Sequence, residues 1–269
     1  MSAATWLFVP GSRPDRFAKA VASDADEVIC DLEDAVAPGE KEQARADVVS
    51  WLRGGGTAWV RLNGVGTCWH DDDVAALAEC AGLRGLMVPK AESPSALAAL
   101  AAAVPGPDGL VALVESAVGV LRAADLAACP GVGRLAFGSI DFALDVDASQ
   151  DDDSLLLARS TLVLASRAGG CAAPLDGVTT ALDDREALAA DARRARRLGF
   201  GGKLCLSPRQ VPVVAAQFRP SDSEVAWARR VVDASDGGTG VVVTAGEMVD
   251  RPVVERAQRI LAAVSEGRA

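Results

Sequence analysis

Short apolar runs recur along the chain, each closed by turn residues or polar positions. Eight can be read: TWLFVPG (5–11), EVICDLED (27–34), AWVRLNG (58–64), GLMVPKAE (85–92), GLVALVES (109–116), GRLAFGSID (133–141), AAPLDGV (172–178) and GKLCLSP (202–208). Within each run the apolar residues are continuous rather than alternating, as in parallel strands covered on both faces. The stretches between them read as helices with recognisable ends. Ser93 and Pro94 suit an N-cap and a first helical position. Asp151–Asp153 open SLLLARSTLVLASRAG, whose Gly169 suits the position just past a helix end. Asp183 and Asp184 open REALAADARRARRLG, basic in its last turns as the helix dipole prefers.

Strand–helix repeats of this number predict a (β/α)8 TIM barrel of the α/β class. An open doubly wound sheet is the rival, but no G-x-G-x-x-G follows the first strand. Residues 1–208 hold the predicted barrel. Residues 209–269 exceed what a barrel needs and read as a C-terminal helical arm: a helix over Asp222–Asp233, a Gly-rich turn, VVVTAGEMVD, and a final helix begun by Pro252. Such an arm can pack on the barrel, act as a lid, or reach a neighbouring subunit's site.

Composition narrows the classes of function. The 269 residues can bury a large core, and a net charge of −10 disfavours an electrostatic grip on nucleic acid or an anionic membrane. The N-terminus lacks a basic n-region, and no charge-free run reaches the roughly 18 residues of a membrane span. The six cysteines are scattered, without metal-ligand spacing, and read as free thiols of a reducing compartment. A cytoplasmic protein is the expectation. There is one histidine and no tyrosine. His70, in the polar helix start CWHDDDV, reads as a surface residue, so a histidine base or a Ser/His/Asp triad is disfavoured. Carboxylates, arginine, lysine or a metal must carry any reaction.

In a barrel of this kind the reactive groups come from the carboxyl ends of the strands. That rim offers Phe8 with Arg13 beyond it, Asp31, Glu33, Asp34, Arg61, Asn63, Lys90, Glu92, Glu115, Asp141, Asp176 and Ser207. Glu115 and Asp141 end adjacent strands and would repel unless they share a proton or a cation. An all-oxygen site suits Mg2+ or Mn2+, with water and substrate filling the other positions. The structural alternative has Glu115 capping the helix that opens at Ser116 and Asp141 accepting hydrogen bonds in a turn. Arg61 can clamp a carboxylate or steady an oxygen that gains charge. It can equally pair with the DLED acids, and both can hold at once. Arg13, Arg16 and Lys19 can meet a phosphate-bearing arm or simply solvate a surface. Lys90 reads better as a structural lysine paired with Glu92 than as a Schiff-base lysine.

Taken in order, LFVPGSRPDRFAKA, DLEDAVAPGEK, RLNG, VPKAES, LVESAVG, FGSIDF and GEMVDRP make the chain resemble the citrate lyase beta-subunit-like family of the HpcH/HpaI aldolase superfamily, which includes malyl-CoA and citramalyl-CoA lyases. The resemblance implies a carbon–carbon lyase of aldol or Claisen type. It would use a divalent metal, usually Mg2+, on β-hydroxyacyl thioesters such as malyl-, citramalyl- or citryl-CoA. It further implies Glu115 and Asp141 as metal ligands, Arg61 beside the reacting carbonyl, and Phe8, Arg13 and Lys19 on a CoA-binding loop. Asp250 matches an acid that relatives deliver into a neighbouring subunit, although on residues alone it reads as a helix flank before Pro252. The implied partners are an acyl-CoA, a 2-oxo acid and further copies of the chain in a trimer or hexamer.

Two departures from the family pattern stand out. LSPRQ has Ser207 where relatives often carry histidine, and FGSIDF has Ile140 where many carry an acid. The alternatives left open are malate-synthase-like or thioesterase chemistry at the same site, a CoA-independent hydroxy-oxo-acid aldolase, and a non-catalytic CoA- or acyl-carrier-binding lyase subunit.

Overall fold

The structure is a computed structural model that describes residues 3–104, 106, 108–235, 242–244 and 247–266. The chain divides into two compact units, Ser2–Ala215 and Ala216–Ala269.

In the first unit, β1 (Thr5–Pro10), β2 (Glu27–Asp31), β3 (Ala58–Arg61), β4 (Leu83–Val88), β5 (Leu110–Val114), β6 (Val132–Phe137), β7 (Ala172–Asp176) and β8 (Gly202–Cys205) pair in sequence order. All neighbours are parallel, and β8 returns to β1 through Trp6 opposite Leu204, which closes the barrel. Each of the eight apolar runs overlaps one of these strands; β4 begins two residues and β6 one residue before its run. The predicted barrel is therefore the observed one.

The barrel interior is a single apolar cluster to which every strand contributes. Trp6, Ile29, Trp59, Met87, Val111, Leu113, Ala136, Leu175 and Leu204 meet there, each at most 4% exposed. The Trp6 and Trp59 rings lie 4.9 Å apart and tilted by 51°. Because side chains alternate faces along a strand, the next inward position on each strand lies two residues further on. From Trp6 that step reaches Phe8, from Ile29 Asp31, from Trp59 Arg61, and from Leu113 Glu115. The inward register thus turns from apolar filling to ionisable groups at the carboxyl rim.

The helix ends follow the sequence closely. Ser93 Oγ accepts from Ala96 N–H at the start of the helix Pro94–Ala103. Asp151 and Asp184 do the same for the helices Asp152–Gly169 and Arg185–Leu198, each at 2.9 Å. One boundary moves: Gly169 is still helical, and the left-handed stop is Gly170 at φ 78°. Gly is suited to that position because it carries no Cβ penalty there.

The second unit holds the helices Asp222–Ser235 and Arg251–Glu266 and two antiparallel strands, Val242–Thr244 and Glu247–Val249. Ala228, Val231, Val249 and Ala257 form its core. The predicted Gly-rich turn falls in residues 236–240, outside the described residues. Among the described residues no helix is long and apolar enough to cross a membrane, and all six cysteines are free.

Candidate active site

Strand register builds the first half of the site. Asp31 and Arg61 are direct partners in the β2–β3 ladder. Their inward side chains therefore meet, with Nε to Oδ1 at 2.7 Å and Nη2 to Oδ2 at 2.6 Å. This bidentate fork fixes the guanidinium plane. One face of that plane lies over the Phe8 ring, with Cζ 4.8 Å from the centroid. Arg61 Nη1 also stands 3.0 Å from Glu33 Oε2 and 3.6 Å from Asp34 Oδ2. Both readings of Arg61 start from this geometry: the DLED ion pair is present, and the guanidinium reaches the mouth.

Glu115 follows β5, buried to 3% exposure. Its Oε1 accepts the Lys90 N–H at 2.8 Å. Lys90 presents that N–H from a left-handed backbone at φ 47°, a conformation that costs a non-glycine residue about 1 kcal/mol or more. Opposite, Gly138 leaves space: a Cβ there would collide with Glu115 Oε2. The structural alternative for Glu115 is not what forms. Ser116, not Glu115, caps the helix Ala117–Leu121 by accepting from Gly119 N–H at 3.1 Å.

Asp141 is displaced slightly from its expected position. β6 ends at Phe137, and Asp141 stands in the first turn of the helix Ser139–Asp145 rather than on the strand end. It still faces the mouth, where Phe8, Arg61, Glu115 and Asp141 line a cavity of about 60 Å3.

The electrostatics of this group are unbalanced. Burial, then the charges of Glu33 and Asp141, push the Glu115 carboxyl up to about 8. Burial and the neighbouring acids likewise lift Glu33 to about 7, against the pull of Arg61. Glu33 Oε2 makes no aligned hydrogen bond despite its closeness to Arg61. Carboxylates crowded and desolvated in this way hold protons unless a cation joins them. Among the described residues no set of three or more His, Cys, Asp or Glu forms a ready metal cage. Glu115 and Asp141 fit a hard divalent cation as a two-carboxylate platform whose remaining positions go to water and substrate oxygens.

A larger cavity of about 560 Å3 opens beside the mouth, lined by Glu33, Asp34, Lys41, Asn63, Trp69, Lys90 and Glu92 among others. Two residues that sequence reasoning passed over shape its edge. Lys41 Nζ donates to the Leu32 and Glu33 carbonyls at 2.9 Å each, holding the loop that carries Glu33. Asp73, fully buried, accepts from Asn63 N–H and Nδ2–H at 3.0 and 2.7 Å and pairs with Arg45. Both were hidden in polar stretches, GEKEQAR and HDDDV, where nothing distinguishes a buried charge from its exposed neighbours. His70 is half-buried rather than on the surface, with Nδ1 2.9 Å from the Asn63 carbonyl oxygen.

Other rim candidates lie elsewhere. Asp176 does not face the mouth: it is wholly buried and accepts from Arg159 Nε at 3.0 Å. Lys90 leaves Glu92 to the Ser116 hydroxyl, which donates at 2.6 Å. Arg13 is exposed and bound to Asp15 through Nε and Nη2, both at 2.9 Å, and Lys19 is exposed one turn on. In the second unit Asp250 Oδ1 accepts from Val253 N–H at 3.2 Å, at the start of the helix Arg251–Glu266.

Comparison with known proteins bears on this geometry. The sequence pattern of the HpcH/HpaI aldolase/citrate lyase family matches residues 4–208. A citrate lyase subunit beta-like protein of Mycobacterium tuberculosis (strain CDC 1551 / Oshkosh) is 40% identical over 269 residues, covering 97% of this chain and 95% of that one. A (3S)-malyl-CoA thioesterase of Cereibacter sphaeroides (strain ATCC 17029 / ATH 2.4.9) is 36% identical, covering 95% and 92%. A crystal structure of CitE from Mycobacterium tuberculosis, in complex with magnesium, acetoacetate and coenzyme A, superposes with a TM-score of 0.87 at 38% identity, covering 98% of this chain and 99% of that one.

Proposed function

The chain belongs to the HpcH/HpaI aldolase/citrate lyase family, and on that premise we propose that it is a Mg2+-dependent carbon–carbon lyase acting on a β-hydroxyacyl-CoA of the malyl-, citramalyl- or citryl-CoA kind. The observation that carries this reading is the cation-deficient carboxylate group at the mouth, with Glu115 lifted to about 8 between Glu33 and Asp141 and beside Arg61. The ligands of the CitE complex support it, since magnesium, a small oxo acid and coenzyme A are the species such a mouth would gather.

Glu115 and Asp141 would hold the ion. Bound there, Mg2+ supplies Lewis-acid polarisation of a 2-oxo-acid carbonyl. Arg61, its plane fixed by Asp31 and Phe8, directs its remaining N–H groups at the oxygen that gains charge as the bond parts. Lys90 N–H keeps Glu115 in one rotamer. The apolar side of the mouth limits water there. Arg13, just before the 3-10 turn Pro14–Arg16, and Lys19, in the helix Phe17–Val21, are exposed and suit the phosphates of CoA. In cleavage the β-hydroxyl would give its proton to solvent as the carbon–carbon bond breaks, and Asp250 of a second copy would give one to the carbon next to the thioester; condensation would run both transfers in reverse.

Thioester hydrolysis is the second reading, favoured by the malyl-CoA thioesterase relative. Incubating the protein with Mg2+ and each of the three thioesters, followed by mass spectrometry, separates the two. A lyase yields an oxo acid and a shorter acyl-CoA; a thioesterase yields the hydroxy acid and free CoA. Unchanged turnover in Glu115→Ala or Asp141→Ala would remove the metal from the proposal. For Asp250, mixed oligomers of Arg61→Ala and Asp250→Ala chains should regain part of the activity, and no recovery in verified mixtures rejects action in trans.

A further inference from the structure

The cavity at the mouth is lined unevenly. Arg61, Glu115 and Asp141 make a charged wall, with Phe8 stacked on the Arg61 guanidinium; Ile140, Val178 and Leu204 make an apolar one, and Ser139 adds a hydroxyl. The apolar side chains carry no hydrogen-bonding group. Phe8, Ile140 and Val178 are half-buried, so they face whatever fills the space.

The charged wall has no cation to spare. Arg61 is the one cation lining the cavity among the described residues; Asp31 takes an N–H of Nε and of Nη2, Nη1 stands near Glu33 and Asp34, and the N–H groups left over are those that serve the reacting oxygen. With Glu115 and Asp141, five carboxylates stand about the mouth against Arg61 and the Lys90 charge near Glu33, so with all five ionised a divalent ion would still leave the region negative. A second carboxylate on a ligand would therefore lose its hydration against the apolar wall and meet like charge on the other side.

We propose that this mouth selects 2-oxo acids whose carbon chain ends in hydrogen or a small alkyl group over those that bear a second carboxylate, with Ile140 and Val178 as the selecting residues. The inference rests on the reading above that the site binds a 2-oxo acid. It deepens that reading by naming which thioesters fit: those that release a monocarboxylic oxo acid, as malyl- and citramalyl-type substrates do, rather than the citryl type.

Titration calorimetry of the whole protein at saturating Mg2+ tests it with pyruvate, 2-oxobutyrate and oxaloacetate. The last two share a four-carbon chain and differ at its end in charge. The expected result is that 2-oxobutyrate binds at least tenfold more tightly than oxaloacetate. Val178→Lys places a cation on the apolar wall without touching the carboxylate pair, and should shift that ratio at least tenfold toward oxaloacetate. Ile140→Ser, a milder change, should weaken 2-oxobutyrate and leave oxaloacetate within threefold. Oxaloacetate binding as tightly as 2-oxobutyrate to the unaltered protein overturns the selectivity while leaving an oxo-acid site in place. An unmoved ratio in folded Val178→Lys overturns the assignment to this wall. Binding of none of the three, with the circular dichroism of the folded chain intact, overturns the oxo-acid site itself.

Discussion

Two of the buried ionic clusters of the barrel differ in kind, one inside its mouth and one on its outer side beneath the helix Asp152–Gly169. In the outer cluster Asp176 takes Arg159, and Lys203 Nζ lies 3.9 Å from the same carboxylate while donating to the Gly177 carbonyl. Arg194, paired with Asp191 and Asp152, extends it. Cations and acids balance there without help from outside. In the mouth Arg61, with the Lys90 charge near Glu33, faces Asp31, Glu33 and Asp34, and Glu115 and Asp141 are close by. The same barrel therefore contains one cluster whose charges balance, though Asp176 Oδ2, Arg159 Nη1 and Arg194 Nε make no hydrogen bond, and one in which acids outnumber cations. Balanced charge fits a structural role, and an excess of one sign fits a place for a charged ligand.

Removing an acid from each cluster should have opposite consequences for the metal-free protein. Asp176→Ala leaves Arg159 and Lys203 as buried charges short of a partner, and breaking such a pair typically costs about 3–5 kcal/mol. Urea unfolding should show a loss of that size; a loss below about 1 kcal/mol would dissolve the contrast. Glu115→Ala removes a carboxylate that the folded state disfavours, so metal-free stability should hold or rise. Its Mg2+ affinity should fall at least a hundredfold by calorimetry, about 2.7 kcal/mol. Retained affinity would mean that the mouth is not the metal site.

A pH series sharpens the comparison further. Glu115 and Glu33 stand at about 8 and about 7 in the folded chain against an ordinary 4.5. Their folded values are raised, so between about pH 4.5 and 8 the native state binds more protons than the unfolded one. The associated stability is complete below about 4.5 and is lost as the pH rises through 7 and 8. Without metal, the melting temperature should fall over that window. Glu115→Gln should flatten the fall, Asp176→Asn should not, and saturating Mg2+ should reverse it. The smallest effect concerns Lys90. Lys90→Gly keeps the N–H that holds Glu115 and relieves the left-handed backbone, so stability should change by less than about 1 kcal/mol and Mg2+ affinity by less than threefold. A larger loss of affinity would show that the lysine side chain, rather than its amide, serves the site.

Much of this was legible before folding. The eight apolar runs and the capping residues Ser93, Asp151 and Asp184 act locally, and each found its expected element. Arg61 and Glu115 could be picked out because each ends an apolar run with a charge that a core would not otherwise tolerate. Asp176 ends its run in the same way and faces the opposite side. A strand buried on both faces has no polar alternation, so its sequence does not tell which residues point inward. Lys41 and Asp73 were lost among exposed charges of their own kind.

The order of elements, their ends and the residue types able to do chemistry at the rim were thus settled by the sequence itself, since they depend on contacts within a few residues. Which acids share one small volume, and how far the mouth is short of positive charge, were decided only when the barrel closed. Cross-strand register set Asp31 on Arg61, and closure brought Glu115, from the end of β5, near Glu33 beyond β2. Those distances belong to residues far apart in the chain, and no local pattern encodes them.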